Sequence, residues 1–389
     1  MKYKILFVSH NASKTGAPIV LLHFIKWLKN NKDYEITILL KSGGELLQDF
    51  RLLADTYIWY EASANNWLQK FIDRVYGRLK KMNQRQYEII KKLQAASFNL
   101  AYTNTIDSNE LIPVLKPYIN VPFLVHVHEN EYSTKVFFPA SMSKNRLQLI
   151  NHYIAVSLST KENLLNNYAV KVDCITQISP FIQVKELKKP KLSISTVKAE
   201  LGITDEFIVG GCGFTGWRKG VDYFLSLALL IKTIAPEKKI KFIWVGFVNE
   251  QTQNEFEYEK NRLGITSSII FTGQKANPVD YFQIFDVFAL TSREDPFPLV
   301  CLEAAALSIP ILCFKNAGGM PEFVKKGAGW VIPYGNTLLM ANKIIELSSN
   351  KIEVENKGKV AKDLVAGYDV NIIAPKIIDC ITQTINKYA

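Results

Sequence analysis

Thr291–Pro310 reads TSREDPFPLVCLEAAALSIP, and the fold is read outward from it. An apolar run, Ile284 to Leu290, precedes this stretch and ends abruptly in polar residues, and a helical run inside it stops at Pro310. That order predicts strand, loop and helix. Pro296 and Pro298 pin the loop and suit a first helical turn, where a missing N–H costs nothing. The N–H groups of Leu299 and Val300 then stand as unpaired donors at the positive end of the helix dipole, where phosphate is attracted. Asp295 and Glu303 flank the helix start with seven residues between them, one in the loop and the other near the first turn. Two carboxylates beside a phosphate seat fit a polyol joined to a pyrophosphate. The plainer reading is that the two acids only cap a helix.

Upstream, the same alternation repeats. Phe207 to Gly210 reads as a strand, followed by GGCGFTGWRKGVDYFL. Gly211, Gly213 and Gly216 match the G-x-G-x-x-G spacing of a dinucleotide-binding turn, which also needs an acidic residue about 20 positions on, after the next strand. That strand is Lys241 to Val245, and the first acidic follower is Glu250, so the spacing fails for an NAD-linked oxidoreductase. Arg218 and Lys219 instead stand just before Gly220 and a helix, where fixed cations suit a departing pyrophosphate. FIWVGF, SIIFTGQ and YFQIFDVFALT continue the strand-like runs, and ILCF and GWVIPYGN follow the opening stretch. This is the pattern of a doubly wound parallel sheet.

The first half has its own series: Lys4 to Ser9, Glu35 to Leu40, Leu100 to Thr103, Pro122 to Val127, His152 to Val156 and the segment CITQISPFI. The first strand leads into HNASKTGAPIVLL, where Gly16 precedes a helix, so a helix N-terminus faces whatever binds at the strand ends. VPFLVHVHENE brings His126, His128, Glu129 and Glu131 together, with the two histidines on one face of the strand. They fall short of a metal-ligand set.

An acidic residue, seven residues and Glu, then A-x-A and a small residue before Pro, resembles the nucleotide-sugar motif of the retaining glycosyltransferases of family 4, the glycosyl transferases group 1. Asp295 stands where that family has Glu and Pro298 where it has Gly, with Glu294 as the neighbouring candidate for the first acid. The resemblance implies an α/β chain of the GT-B fold: two facing Rossmann-like domains with parallel sheets and an interdomain cleft. It implies transfer of a sugar from a UDP- or GDP-linked donor, with retention, to a glycan or lipid-linked acceptor in cell-surface polysaccharide synthesis. The catalytic set it implies is Asp295, Lys219 and His128. Gly16, Arg218, Lys219, Leu299, Val300 and Glu303 bind the donor, Glu303 through the ribose. Relatives carry a second Arg earlier in the Lys219 loop, where this chain has Phe214 and Thr215, so either Arg218 takes its part or the site has one cation fewer. The loop Thr272 to Lys275 is the implied place of the base. No D-x-D triplet occurs, and a metal-independent reaction without cofactor is expected because protein cations face the leaving group. A nucleotide-sugar or glycan-binding protein without catalysis is the alternative.

Composition bounds these readings. The chain has 389 residues, 48% hydrophobic and 21% charged, enough for two globular domains. The domains expected are 1–184 for the acceptor, 185–198 as linker, 199–368 for the nucleotide sugar, and 369–389 as a helix crossing back to the first. A net charge of +11 calls for acidic partners, yet no nucleic-acid-binding pattern is present. Lys70, Arg74, Arg78, Lys81 and Arg85 line one face of a helical pattern from Trp67 to Ala96. That stripe fits either an anionic membrane surface or plain solvation. No apolar run reaches the roughly 20 residues of a membrane span, and MKYKILFVSHN reads as a first strand rather than a signal peptide. Five scattered cysteines fit a reducing, cytoplasmic setting, and the basic stripe leans toward a peripheral place at the inner membrane face.

Overall fold

Each half of the chain turns its apolar runs into one parallel sheet. A computed structural model describes residues 3–61, 82–137, 146–187 and 190–388. The first sheet is built from β1 (Tyr3–Ser9), β2 (Tyr34–Leu40), β3 (Asp55–Ile58), β4 (Leu100–Asn104), β5 (Phe123–Val127), β6 (His152–Ala155) and β7 (Ile175–Gln177). Its order is β3-β2-β1-β4-β5-β6-β7, with every pair parallel. Ile5 to Val8 of β1 are sealed from solvent, as expected for a strand with helices on both faces. β3 escapes sequence reading because only Ile58 of its four residues is buried, leaving no apolar run to mark it.

The second sheet comprises β8 (Phe207–Cys212), β9 (Ile240–Val245), β10 (Ile269–Phe271), β11 (Val287–Leu290), β12 (Ile311–Phe314) and β13 (Gly329–Ile332). Its order is β10-β9-β8-β11-β12-β13, again all parallel. In both sheets the order reverses beside the first strand, between β1 and β4 and between β8 and β11. Such a reversal leaves a crevice outside the carboxyl ends of the strands, where open α/β sheets bind ligands.

The chain divides into one unit of Met1–Ser179 with Val370–Ala389 and a second of Pro180–Asp369. The stretch 185–198, expected as a linker, contributes to the second unit. Ser193 caps a helix over Ile194–Leu201, and Val197 is fully buried in that unit's core with Val184, Leu187 and Leu192 packed against it. The Pro190 and lysine-rich composition that suggested a linker hides these spaced apolar anchors. The closing helix, Val370–Tyr388, lies in the first unit.

In the described part of the pattern from Trp67 to Ala96, the helix runs over Gln84–Ala95. Asn83 and Gln86 form a capping box that starts a helix at Gln84, because reciprocal capping satisfies the first free N–H groups. Lys70, Arg74, Arg78 and Lys81 lie outside the described residues; Arg85 pairs with Glu61. Among the described residues no helix is long and apolar enough to cross a membrane.

Candidate functional site

In the second unit, the loops leaving β8 and β11 are laced together. Gly220 has φ +64, and a Cβ there would stand 2.1 Å from the Thr291 carbonyl oxygen. Only glycine lets the Lys219 turn come this close to the end of β11. The Thr291 hydroxyl donates to the Lys219 carbonyl at 3.2 Å, and the Arg293 N–H donates to the Arg218 carbonyl at 2.8 Å. Arg293 then closes the turn from outside. Its guanidinium donates to Asp222 at 2.8 Å and lies over the Trp217 and Tyr223 rings at 5.0 and 4.2 Å.

This lacing delivers Lys219 to Asp295, with Nζ donating to Oδ2 at 2.6 Å. Arg218 Nη1 lies 3.7 Å from Asp295 Oδ1 and donates to the Glu294 carbonyl at 2.8 Å. Asp295 is 6% exposed. Burial pushes its pKa up, but the charges of Lys219 and Arg218 outweigh that and hold the carboxyl below its ordinary value. Its backbone is fixed too: the Asp295 N–H donates to the Ala317 carbonyl at 2.7 Å, and the Gly319 N–H to that of Pro296 at 2.8 Å. Of the two adjacent acids, then, Asp295 offers its carboxylate to the cations and Glu294 its backbone. Arg218 stands beside Lys219, while Phe214 is half-exposed and stacked on Phe247.

Pro298 is the N-cap of the helix Leu299–Ala306 and provides no side-chain cap. The Cys301 N–H bonds to the Pro298 carbonyl at 3.2 Å, and Leu299 and Val300 open the helix ahead of it. Glu303 is the fifth of its eight residues, where the second turn begins. Cys212, at the end of β8, reports on its surroundings. Burial first and the Glu303 charge second push that thiol up to about 12, while Lys219 pulls it down. Glu303, Lys219 and Asp295 therefore converge at the carboxyl end of β8.

Gly211, the first of the glycines that mimic a dinucleotide turn, serves packing. A Cβ on Gly211 would meet the Trp244 ring at 2.6 Å, so its absence seats a helix and a neighbouring strand. The Thr272–Lys275 loop joins the same edge, where Gly246 N–H donates to the Gly273 carbonyl at 3.0 Å and Lys275 pairs with Glu200 at 3.1 Å.

In the first unit, a separate group gathers at the β1/β4 reversal. β4 and β5 register Asn104 beside His126, so His128 emerges one pleat beyond. Asn104 donates from Nδ2 to the Ala17 carbonyl, in the first turn of the helix Gly16–Asn31, at 3.1 Å. Its Oδ1 lies 3.1 Å from His128 Nε2. Asn104 thereby ties the Gly16 helix start to His128, a contact between distant strands that no local motif marks. Burial, with His10 next in effect, pushes His128 down to about 3. His126 is sealed: its Nδ1 meets the Tyr102 hydroxyl, its ring packs 4.2 Å from that of His128, and its Nε2 has no partner. Thr105, buried and β-branched, holds φ +78, a strained conformation of the kind kept at functional sites. Its hydroxyl lies 3.2 Å from His10 Nδ1. Glu129 Oε2 accepts from the N–H groups of Ile106 and His128 at 3.1 and 2.9 Å, which makes it a brace between β4 and β5. Among the described residues no three His, Cys, Asp or Glu side chains converge as metal ligands.

Residues 194–363, nearly all of the second unit, match the family described as glycosyl transferases group 1. The match falls within the second unit and covers less than half of the chain. It is similar to the capsular polysaccharide biosynthesis glycosyltransferase CapM of Staphylococcus aureus, 22% identical over 56% of this chain and 57% of that protein. It is also similar to the N-acetyl-alpha-D-glucosaminyl L-malate synthase of Bacillus anthracis, 23% identical over 62% of this chain and 69% of that one. The chain thus aligns with little more than half of the length of the staphylococcal relative. A crystal structure of Anabaena HepE in complex with UDP-glucose superposes with a TM-score of 0.79 at 20% identity, covering 98% of this chain and 99% of that one. This likeness shows the fold, the GT-B pair of Rossmann-like units.

Proposed function

We propose that the protein transfers a sugar from a nucleoside diphosphate donor to a glycan or lipid-linked acceptor, with retention of anomeric configuration and without a metal ion. The observation that carries this reading is the meeting of Lys219, Arg218, Asp295 and Glu303 at the carboxyl ends of β8 and β11, next to the uncapped helix start at Leu299. Charge builds on the leaving diphosphate as the sugar–oxygen bond breaks. Lys219, Arg218 and the N–H groups of Leu299 and Val300 meet that charge from fixed positions, so they stabilise the transition state more than the ground state. Asp295 holds the lysine in place and positions the sugar, and Glu303 accepts from the ribose hydroxyls. His128, neutral, contributes a hydrogen bond to the sugar. The leaving phosphate oxygen takes the acceptor proton on the same face of the sugar, which leaves the configuration unchanged.

The HepE complex makes UDP-glucose the first donor to try, with UDP-galactose and GDP-mannose beside it. The names of the capsular and glucosaminyl relatives favour cell-surface glycans or small polar acceptors. A cytoplasmic enzyme, peripheral at the inner membrane face, fits that chemistry. The test is release of nucleotide from each donor, followed by NMR of the product's anomeric proton. An inverted product, or no turnover with any donor and acceptor pair, overturns the proposal.

A further inference from the structure

Asn104 is buried, 1% exposed, and its amide is committed at both ends. The Ala17 carbonyl 3.1 Å away can only accept, so the amide NH2 must face it and Oδ1 must face His128. The reversed amide would set two carbonyl oxygens against each other. An oxygen 3.1 Å from His128 Nε2 requires a proton on that nitrogen. A neutral imidazole carries one proton, so Nδ1 keeps its lone pair. Nδ1 has no partner among the described residues, and His128 is only partly buried. The sealed His126 ring, packed 4.2 Å from that of His128, fixes the plane from the other side.

We infer that Asn104 is a positioning residue that locks His128 in its Nε2–H form, making Nδ1 an acceptor for a hydroxyl of the substrate. The Ala17 contact makes the lock part of the Gly16 helix start, so the same amide sets both the helix and the ring. The titratable groups around His128 agree with a neutral ring. His10 at the end of β1 disfavours a second proton on His128, and His128 disfavours one on His126. The Glu129 carboxylate is engaged by backbone N–H groups, and Asp107 and Lys41 act on His10 with opposite signs.

The consequence for transfer rests on the function proposed above; the state of the ring does not. The chain has five histidines, few enough for long-range proton–nitrogen NMR of the full-length protein with labelled histidine, the His128 signals assigned through His128→Gln. The expected wild-type result at pH 7 is a neutral ring with its proton on Nε2. Asn104→Ala should mix the two forms, and Asn104→Asp, which keeps an acceptor oxygen, should restore the single form while raising the proton affinity of the ring. If transfer occurs, Asn104→Ala should lower kcat by roughly tenfold, the effect of one misplaced hydrogen bond, with donor affinity unchanged. A wild-type proton on Nδ1, or an Asn104→Ala spectrum identical to the wild type, overturns the inference whether or not any donor turns over. Should Asn104→Ala fail to fold, the wild-type and Asn104→Asp spectra still decide it.

Discussion

At the reversal of the first sheet the side chains that meet are His10, Asn104, Thr105 and His128; at that of the second they are Arg218, Lys219 and Asp295. Both groups occupy the same topological place, yet one is neutral and hydrogen-bonded and the other is charged. Under the proposed function, the difference matches what each would hold. Hydroxyl groups are told apart by donors and acceptors of fixed direction, whereas a diphosphate is met by cations that cost nothing to reorganise. All five histidines lie in the first unit and none in the second.

The comparison breaks first at Lys219. Lys219→Ala should reduce transfer on the order of 100- to 1000-fold, the usual loss for one fixed group facing a developing negative charge. It should also cost about 3–5 kcal/mol of stability, because Asp295 is left buried without its main partner. Steady-state rates and denaturant midpoints check the two separately. A variant that loses stability but keeps its rate would make the pair purely structural.

Acid should separate the units next. Burial lowers all five histidines from 6.5, His23 to about 4 and His128 to about 3. A histidine neutral when folded binds a proton when unfolded, so its stability contribution is complete above 6.5 and shrinks as pH falls toward the folded value. The slope is about 1.4 kcal/mol per pH unit for each such histidine. The carboxylates held low in the second unit, among them Glu206, Asp222 and Asp295, lose their contribution only below about pH 4. Hydrogen exchange followed by segment from pH 7 to 5 should show the first unit opening and the second unaffected. Equal loosening of both would erase the distinction.

Smaller effects sharpen it. Glu303→Gln keeps the shape but weakens an acceptor, so the Kd for UDP measured by calorimetry should rise by roughly tenfold with little change in kcat. EDTA should leave the rate unchanged in the same assay if, as proposed, Arg218, Lys219 and the helix start meet the charge on the leaving group.

How well each half was legible follows from the same contrast. Asp295, Leu299, Val300 and Glu303 fall in one stretch whose order of strand, loop and helix fixes their spacing, and Lys219 stands before the glycine that a close turn requires. These positions were readable because chain order and spatial order coincide. Asn104 acts through the Ala17 carbonyl and His128, 87 and 24 residues away, and only the strand register unites them. A polar residue ending a fully buried strand was the one signal available. The boundaries shifted for a similar reason: Val197 and Leu192 look like isolated apolar residues until the second unit's core is assembled around them.

The route of the chain has a further consequence. Ile182 and Asp369 lie side by side in a parallel bridge, with the Ile182 N–H donating to the Tyr368 carbonyl at 3.0 Å and the Val184 N–H to Asp369 Oδ2 at 2.9 Å. The second unit is therefore an insertion clipped shut at its entrance and exit. During synthesis it can complete its fold as soon as Asp369 has left the ribosome, while the earlier unit still waits for the 19-residue helix that closes it. The part of the molecule made first is finished last, and until then the face of the helix Gly16–Asn31 that receives Val370–Tyr388 stays uncovered on the nascent chain.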